Sequence, residues 1–179
     1  MRTRVGQLGT LAIGMVLGAA GMFVGLAQAD RIAPSRPDVL VALGQRLDVE
    51  HRAVDLKVEN GDFAGAIQSL EALRAGPWPS ASDATPAAVA LKHDAYGRLV
   101  RLRLDHPDVD PVPAEALLKM VEEGLGEDEA DANPFTARLW ALRGELYEAE
   151  GLDDEALEAY EKALEINATL LERELGGAP

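Results

Sequence analysis

The chain has 179 residues, of which 47% are hydrophobic and 27% charged; 31 Asp and Glu stand against 17 Lys and Arg, a formal net charge of −14. Such a balance excludes nucleic acid as a main partner, because phosphate binding needs clustered cations. Cysteine is absent, which excludes disulfides, thiolate metal sites and cysteine nucleophiles, and an aromatic content of 4% with abundant Ala, Leu and Glu favours helix over a β-sandwich.

Arg2 and Arg4 are the only charges before Asp30, and Val5 to Ala29 is an uncharged run of 25 residues. It ends in Ala27-Gln28-Ala29. Basic start, apolar stretch and A-x-A ending are the parts of a secretory signal cut after Ala29. The run is also long enough to span a bilayer, and Gly14, Gly18, Gly21 and Gly25 include spacings that bring membrane helices together. Residues 1–29 are therefore expected to be a signal peptide or a retained anchor. Either way Arg2 and Arg4 hold the N-terminus inside and residues 30 onward cross the membrane. The expected location is periplasmic, free or anchored to the inner membrane of a bacterial envelope.

Residues 30–38, with Pro34 and Pro37, read as an extended linker. From Val39 apolar residues recur at helical spacing: Leu40, Leu43, Leu47, Val54 and Val58. Gly61-Asp62 stops this helix and caps the next, whose face is Phe63, Ala66, Ile67, Leu70 and Leu73. Thr85-Pro86 opens a third helix running to about Asp105, with Pro at its first position. Pro107, Pro111 and Pro113 punctuate a loop before a shorter helix that Gly124 and Gly126 close. Asn133-Pro134 opens the fifth helix, and Gly151 separates it from a sixth beginning at Asp153. No strand-like alternation occurs. The reading is all-α: a domain over 39–175 made of three helix pairs, about 39–76, 85–125 and 134–167. Residues 168–175, with Leu170, Leu171 and Leu175, read as the start of a capping helix. Left uncovered, that end is a sticky face and a dimer contact.

Charge is uneven along the exported part. Residues 30–112 carry 13 acids and 10 bases, whereas residues 113–179 carry 18 acids and 5 bases. Arg98, Arg101 and Arg103 form a small basic group in the middle, of which Arg98 and Arg101, three residues apart, share a helix face. His51, His93 and His106 lie in separate segments and read as surface histidines rather than ligands. Neither the Asp105–Asp110 stretch nor Glu127–Asp131 has the acid spacing of a calcium loop. Phosphate-loop and nucleophile-elbow patterns are missing as well. The sequence offers no cofactor site, no metal site and no catalytic constellation, so an enzyme is not expected.

The first and last pairs repeat one another. Leu56–Arg74 aligns with Leu146–Leu164 at an offset of 90 residues, matching Gly61 with Gly151, Ala66 with Ala156, Ile67 with Leu157 and Leu70 with Tyr160. Repeated helix hairpins point to a stacked α-solenoid. The last unit resembles a tetratricopeptide repeat. Trp140, Gly144, Tyr147, Gly151, Ala156, Tyr160 and Ala163 stand at that family's spacing. Arg143 replaces the usual Leu, and Ala168 stands where Pro is common. The first unit keeps Gly61, Ala66 and Leu70 but has Val54 and Lys57 at the small and aromatic positions. The middle unit keeps only the helix-pair pattern, and local opening is expected there.

The resemblance implies a module that binds proteins through a groove lined by the first helix of each pair. Carried onto this chain, the groove positions are Asp48, His51, Asp55 and Glu59 in the first unit, and Arg138, Ala141, Glu145 and Glu148 in the last. The set is mostly acidic, which favours a basic or amide-rich peptide segment. The function expected is a non-enzymatic interaction scaffold on the periplasmic side of a bacterial membrane. The competing expectation is a membrane-anchored, self-associating structural protein. Membrane contact is through the N-terminal segment only, if it is uncleaved.

Overall fold

Three prolines and three N-caps set where the helices begin. In the computed structural model, which describes residues 37–78, 85–126 and 132–176, six helices follow one another: α1 (Pro37–Glu59), α2 (Phe63–Arg74), α3 (Pro86–Asp105), α4 (Ala114–Leu125), α5 (Pro134–Ala149) and α6 (Asp153–Gly176). No strand occurs among the described residues. The signal or anchor at residues 1–29, with Ala27 and Ala29, lies outside them. So do all of the acidic stretch 127–131 and residues 79–84 of the loop after Trp78. Among the described residues no helix is long and apolar enough to cross a membrane.

Proline suits the first turn of a helix because the amide it lacks would have no helical partner there. Pro86 and Pro134 use this, and Pro37 does too. The linker read over 30–38 is therefore corrected at its end, since Pro37 and Asp38 already belong to α1. Thr85 caps α3 by accepting from the Ala88 amide at 3.2 Å. Asn133 caps α5 by accepting from Phe135 at 2.9 Å and Thr136 at 3.0 Å. Asp62 caps α2 by accepting from Gly65 at 2.9 Å.

The 90-residue repeat is visible in the turns themselves. Gly61 has φ +76° and Gly151 φ +73°, a left-handed conformation that glycine adopts without a Cβ penalty. Around Gly61, its amide donates to Val58 O at 3.0 Å and the Asp62 amide to Lys57 O at 2.8 Å. Around Gly151, its amide donates to Glu148 O at 3.0 Å and the Leu152 amide to Tyr147 O at 2.9 Å. The pattern satisfies the last carbonyls of α1 and α5 in the same way. Between α3 and α4 the chain instead takes a proline-rich loop, which is why the middle pair matches the repeat pattern so poorly.

Each helix packs on its sequence neighbour, and α1, α3 and α5 also pack side by side. This is the connectivity of a stacked series of hairpins. The apolar core lies in two clusters with α3 as their shared wall. Ala88, Ala95 and Leu99 of α3 face Leu43, Leu47 and Val54 of α1 and Ile67, Leu70 and Leu73 of α2. Tyr96 and Val100 face Leu117, Val121 and Leu125 of α4 and Leu139, Leu142 and Leu146 of α5. Each fully buried leucine contributes about 2–3 kcal/mol of transfer free energy. The middle pair, expected to open first, thus holds the central helix, buried on both flanks. α6 closes the stack on α5 through Ala156, Ala159, Ala163 and Ile166.

Small residues mark two close approaches. A Cβ on Gly124 would stand 2.9 Å from Tyr96 Cβ. Gly124 therefore sits inside α4 as a packing position, and it is Gly126, with φ +54°, that ends the helix. A Cβ on Gly144 would stand 2.6 Å from the Tyr160 ring. The separate capping helix over 168–175 is also corrected: α6 runs unbroken to Gly176. Ala168 lacks the proline stop of the repeat pattern, so nothing interrupts the backbone ladder.

Candidate functional site on the inner helices

α1, α3 and α5 lie side by side, and two seams of charged side chains join them. At the α1–α3 seam Arg98 donates to Asp55, and the His51 ring stands 3.5 Å from Asp94. At the α3–α5 seam Arg138 donates to Asp94 at 3.2 Å, and Arg101 donates to both oxygens of Glu145 at 2.8 and 2.5 Å. Arg101 also lies 3.8 Å from Asp105. Asp94 belongs to both seams. Its side chain is only 13% exposed, and it faces Arg138 on one side and His51 on the other.

Exposed ion pairs each contribute about 0–1 kcal/mol. Their value here is registry: the fork of Arg101 on Glu145 fixes how α5 slides along α3. Gly97 adds to this, because a Cβ there would lie 3.3 Å from Arg138 Cδ. The absence of that carbon lets the Arg138 stem rest across α3.

The sequence-derived groove set falls on this face in parts. His51, Asp55, Arg138 and Glu145 are the residues of the seams. Asp48 and Glu59 are exposed on α1 and form no ion pair among the described residues. Glu148 accepts from the Tyr160 hydroxyl at 3.0 Å. Ala141 is half-buried on α5. Asp94 and Asp105 were missed by the sequence reading. Their signal was the spacing Asp94–Arg98 and Arg101–Asp105, opposite charges four apart on one helix face.

The basic group divides as its spacing implies. Arg98 and Arg101 face the inner surface, but Arg103 points to the other side, where it is 8% exposed. It donates to Asp110 at 3.0 and 2.8 Å, to Glu71 at 2.6 Å and to Met120 Sδ at 3.2 Å. Two residues along a helix is a rotation of about 200°, so Arg101 and Arg103 cannot share a face.

The histidines are corrected. His93 has no exposed surface and shares a 2.8 Å hydrogen bond with Thr136, joining α3 to the first turn of α5. His106 stacks on Phe63 with ring centroids 3.6 Å apart. His51 is mostly buried. Burial, and then the Arg98 guanidinium, hold its imidazole below the ordinary value against the pull of Asp94, Asp55 and Asp48. The folded protein thus disfavours the protonated ring. As the pH falls through about 6.5 the unfolded chain takes up this proton first, so stability is lost until the folded value is passed. Urea unfolding at pH 7 and pH 5 is expected to show a smaller acid loss for His51→Gln than for the native chain; equal losses would remove this role.

Among the described residues no cluster of His, Asp and Glu is arranged to hold a metal ion. The inner face can register helices and present charge to a bound segment.

The match to known families lies at the C-terminal end, where residues 137–170 fit the model of the tetratricopeptide repeat. No curated protein and no solved structure matches the chain. The matched span opens three residues before Trp140 and takes in Gly144, Tyr147, Gly151, Ala156, Tyr160 and Ala163. These residues make the α5–α6 hairpin: the Schellman turn at Gly151, the close approach at Gly144 and the alanine seam of α6. Such repeats are protein-interaction modules, and it is the last helix pair of this chain that matches the tetratricopeptide repeat.

Proposed function

We propose that the chain is a non-enzymatic scaffold that binds a partner protein on the inner face of α1, α3 and α5. Its N-terminal run, Val5–Ala29 behind Arg2 and Arg4, exports it across a bacterial inner membrane, so that it works on the periplasmic side. The observation that carries the binding reading is the charge left on the inner face. Arg98, Arg101 and Arg138 are each engaged by a carboxylate. Asp48 and Glu59 are left exposed on α1, and Glu148 is exposed on α5, where among the described residues its hydrogen-bond partner is the Tyr160 hydroxyl. The cations of the seams are consumed; Arg52 is exposed seven residues before Glu59, but the exposed acids outnumber it, which favours a basic or amide-rich segment.

The test is chemical cross-linking of the tagged full-length chain in its native envelope, followed by mass spectrometry. The triple variant Asp48→Lys, Glu59→Lys, Glu148→Lys is expected to lose at least about tenfold in partner recovery, equivalent to about 1.4 kcal/mol. Reversal of Glu115, exposed on α4, is the control and leaves recovery unchanged. Equal recovery from the triple variant would place the binding face elsewhere.

A further inference from the structure

Both ends of the helix stack expose aliphatic stripes. On α6, Leu157 is 58%, Leu164 67% and Leu171 60% exposed. They recur every seven residues and so share one side of the helix. The repeat alignment shows what normally covers that side. Leu157 corresponds to Ile67 of α2, which is only 4% exposed. Ile67 belongs to the cluster containing Ala95 and Leu99 of α3, so the second helix of the first pair is covered by the first helix of the next. Among the described residues no helix follows α6.

The other end carries the complementary half. α1 is the first of the described helices, and its outer side exposes Val49 at 67% and Leu56 at 43%, again seven residues apart. Charge decides which ends meet. Exposed Arg46 and Arg52 lie three residues to either side of Val49, and exposed Glu59 lies three residues beyond Leu56, so the border of the stripe carries two cations and one acid. Exposed Glu161 lies between Leu157 and Leu164 on α6, with Glu158 and Glu165 alongside. Two α6 helices would bring acids against acids, and two α1 helices arginines against arginines. Only α1 against α6 joins apolar stripe to apolar stripe with opposite charges at the border.

We propose that the outer face of α1 in one copy docks on the Leu157–Leu164–Leu171 stripe of α6 in a second copy. The contact repeats the α2–α3 seam between chains, so the stack continues from copy to copy. It is heterologous, each copy using two different surfaces, and it therefore builds a chain or a closed ring rather than a twofold dimer. This surface is distinct from the inner face proposed to bind the partner.

The lack of cysteine makes single-thiol reporters clean. Two full-length chains, Val49→Cys and Leu164→Cys, are treated with a bifunctional thiol reagent spanning about 10 Å, the distance between packed helix axes. Both sites are exposed, and unchanged helical circular dichroism confirms the fold. The expected result is a cross-linked dimer only when the two chains are mixed, and a ladder from the chain carrying both thiols. Arg52→Glu is expected to reduce the ladder severalfold, and Glu161→Arg in the same chain to restore it. Cross-linking of Leu164→Cys with itself, a product with a foreign protein instead of a second copy, or monomer in every mixture would each overturn the proposal.

Discussion

Replacing Arg103 by Met is expected to lower the stability of the helix stack by about 2–4 kcal/mol. Its guanidinium joins three parts of the chain: Glu71 near the end of α2, Asp110 in the loop after α3, and Met120 on α4. Removing one partner from a buried ion pair costs about 3–5 kcal/mol, because the remaining charge keeps its desolvation without its counterion. Glu71 and Asp110 are 27% and 39% exposed, so solvent recovers part of that loss and the expected figure falls below the upper end. Arg103→Lys should lose less than Met but more than a surface substitution, since one ammonium cannot reach two carboxylates with the geometry of a planar fork. Urea unfolding of the three chains orders them native, Lys, Met. A Met variant within 0.5 kcal/mol of native, the range of about ±0.5 kcal/mol ordinary for surface changes, would show that the network does not hold the middle pair together.

Arg103 also shows where the sequence stopped being legible. Three arginines stand within six residues. Read as a helix, 98 and 101 fall together and 103 falls opposite, so the periodicity held the answer. What it did not hold was the partner, because Glu71 is 32 residues away in the chain. The helix boundaries were legible for local reasons. Thr85-Pro86, Asn133-Pro134 and Gly61-Asp62 act through their own caps and backbone torsions. The last pair was legible in detail, since its small and aromatic residues are spaced by the contacts they make. The α3–α4 loop was legible from Pro107, Pro111 and Pro113, but it lacks the glycine turn that marks the other two pairs as repeats. Asp94 was missed because its role comes from two helices packed on either side of α3, and a single-sequence reading shows one helix at a time. His93 was read as a surface residue for the same reason: its burial and its bond to Thr136 are made by the approach of α5.

The inner face and the two ends of the stack depend on α5 and α6 staying together, and Gly144 is where that pair is most vulnerable. Its missing side chain leaves room for the Tyr160 ring: an added Cβ would lie 2.6, 2.7 and 2.9 Å from Cε1, Cδ1 and Cζ. Tyr160 is not free to swing away without loss, as its hydroxyl donates to Glu148 at 3.0 Å. Gly144→Leu therefore forces α6 off α5 and opens the seam of Ala156, Ala159 and Ala163. Overpacking of this kind costs about 1–3 kcal/mol. The better helix propensity of Leu returns less than about 1 kcal/mol, and the net loss is expected near 2 kcal/mol. Because overpacking and strain are confounded in a single variant, the informative measurement is a cycle with Tyr160→Ala. Removing the ring removes the collision, so the double variant should be more stable than the sum of the single losses by about 1–2 kcal/mol. Strict additivity would mean that the ring does not occupy the space above Gly144, and the α5–α6 geometry that carries Glu145 and Glu148 to the inner face would have to be redrawn.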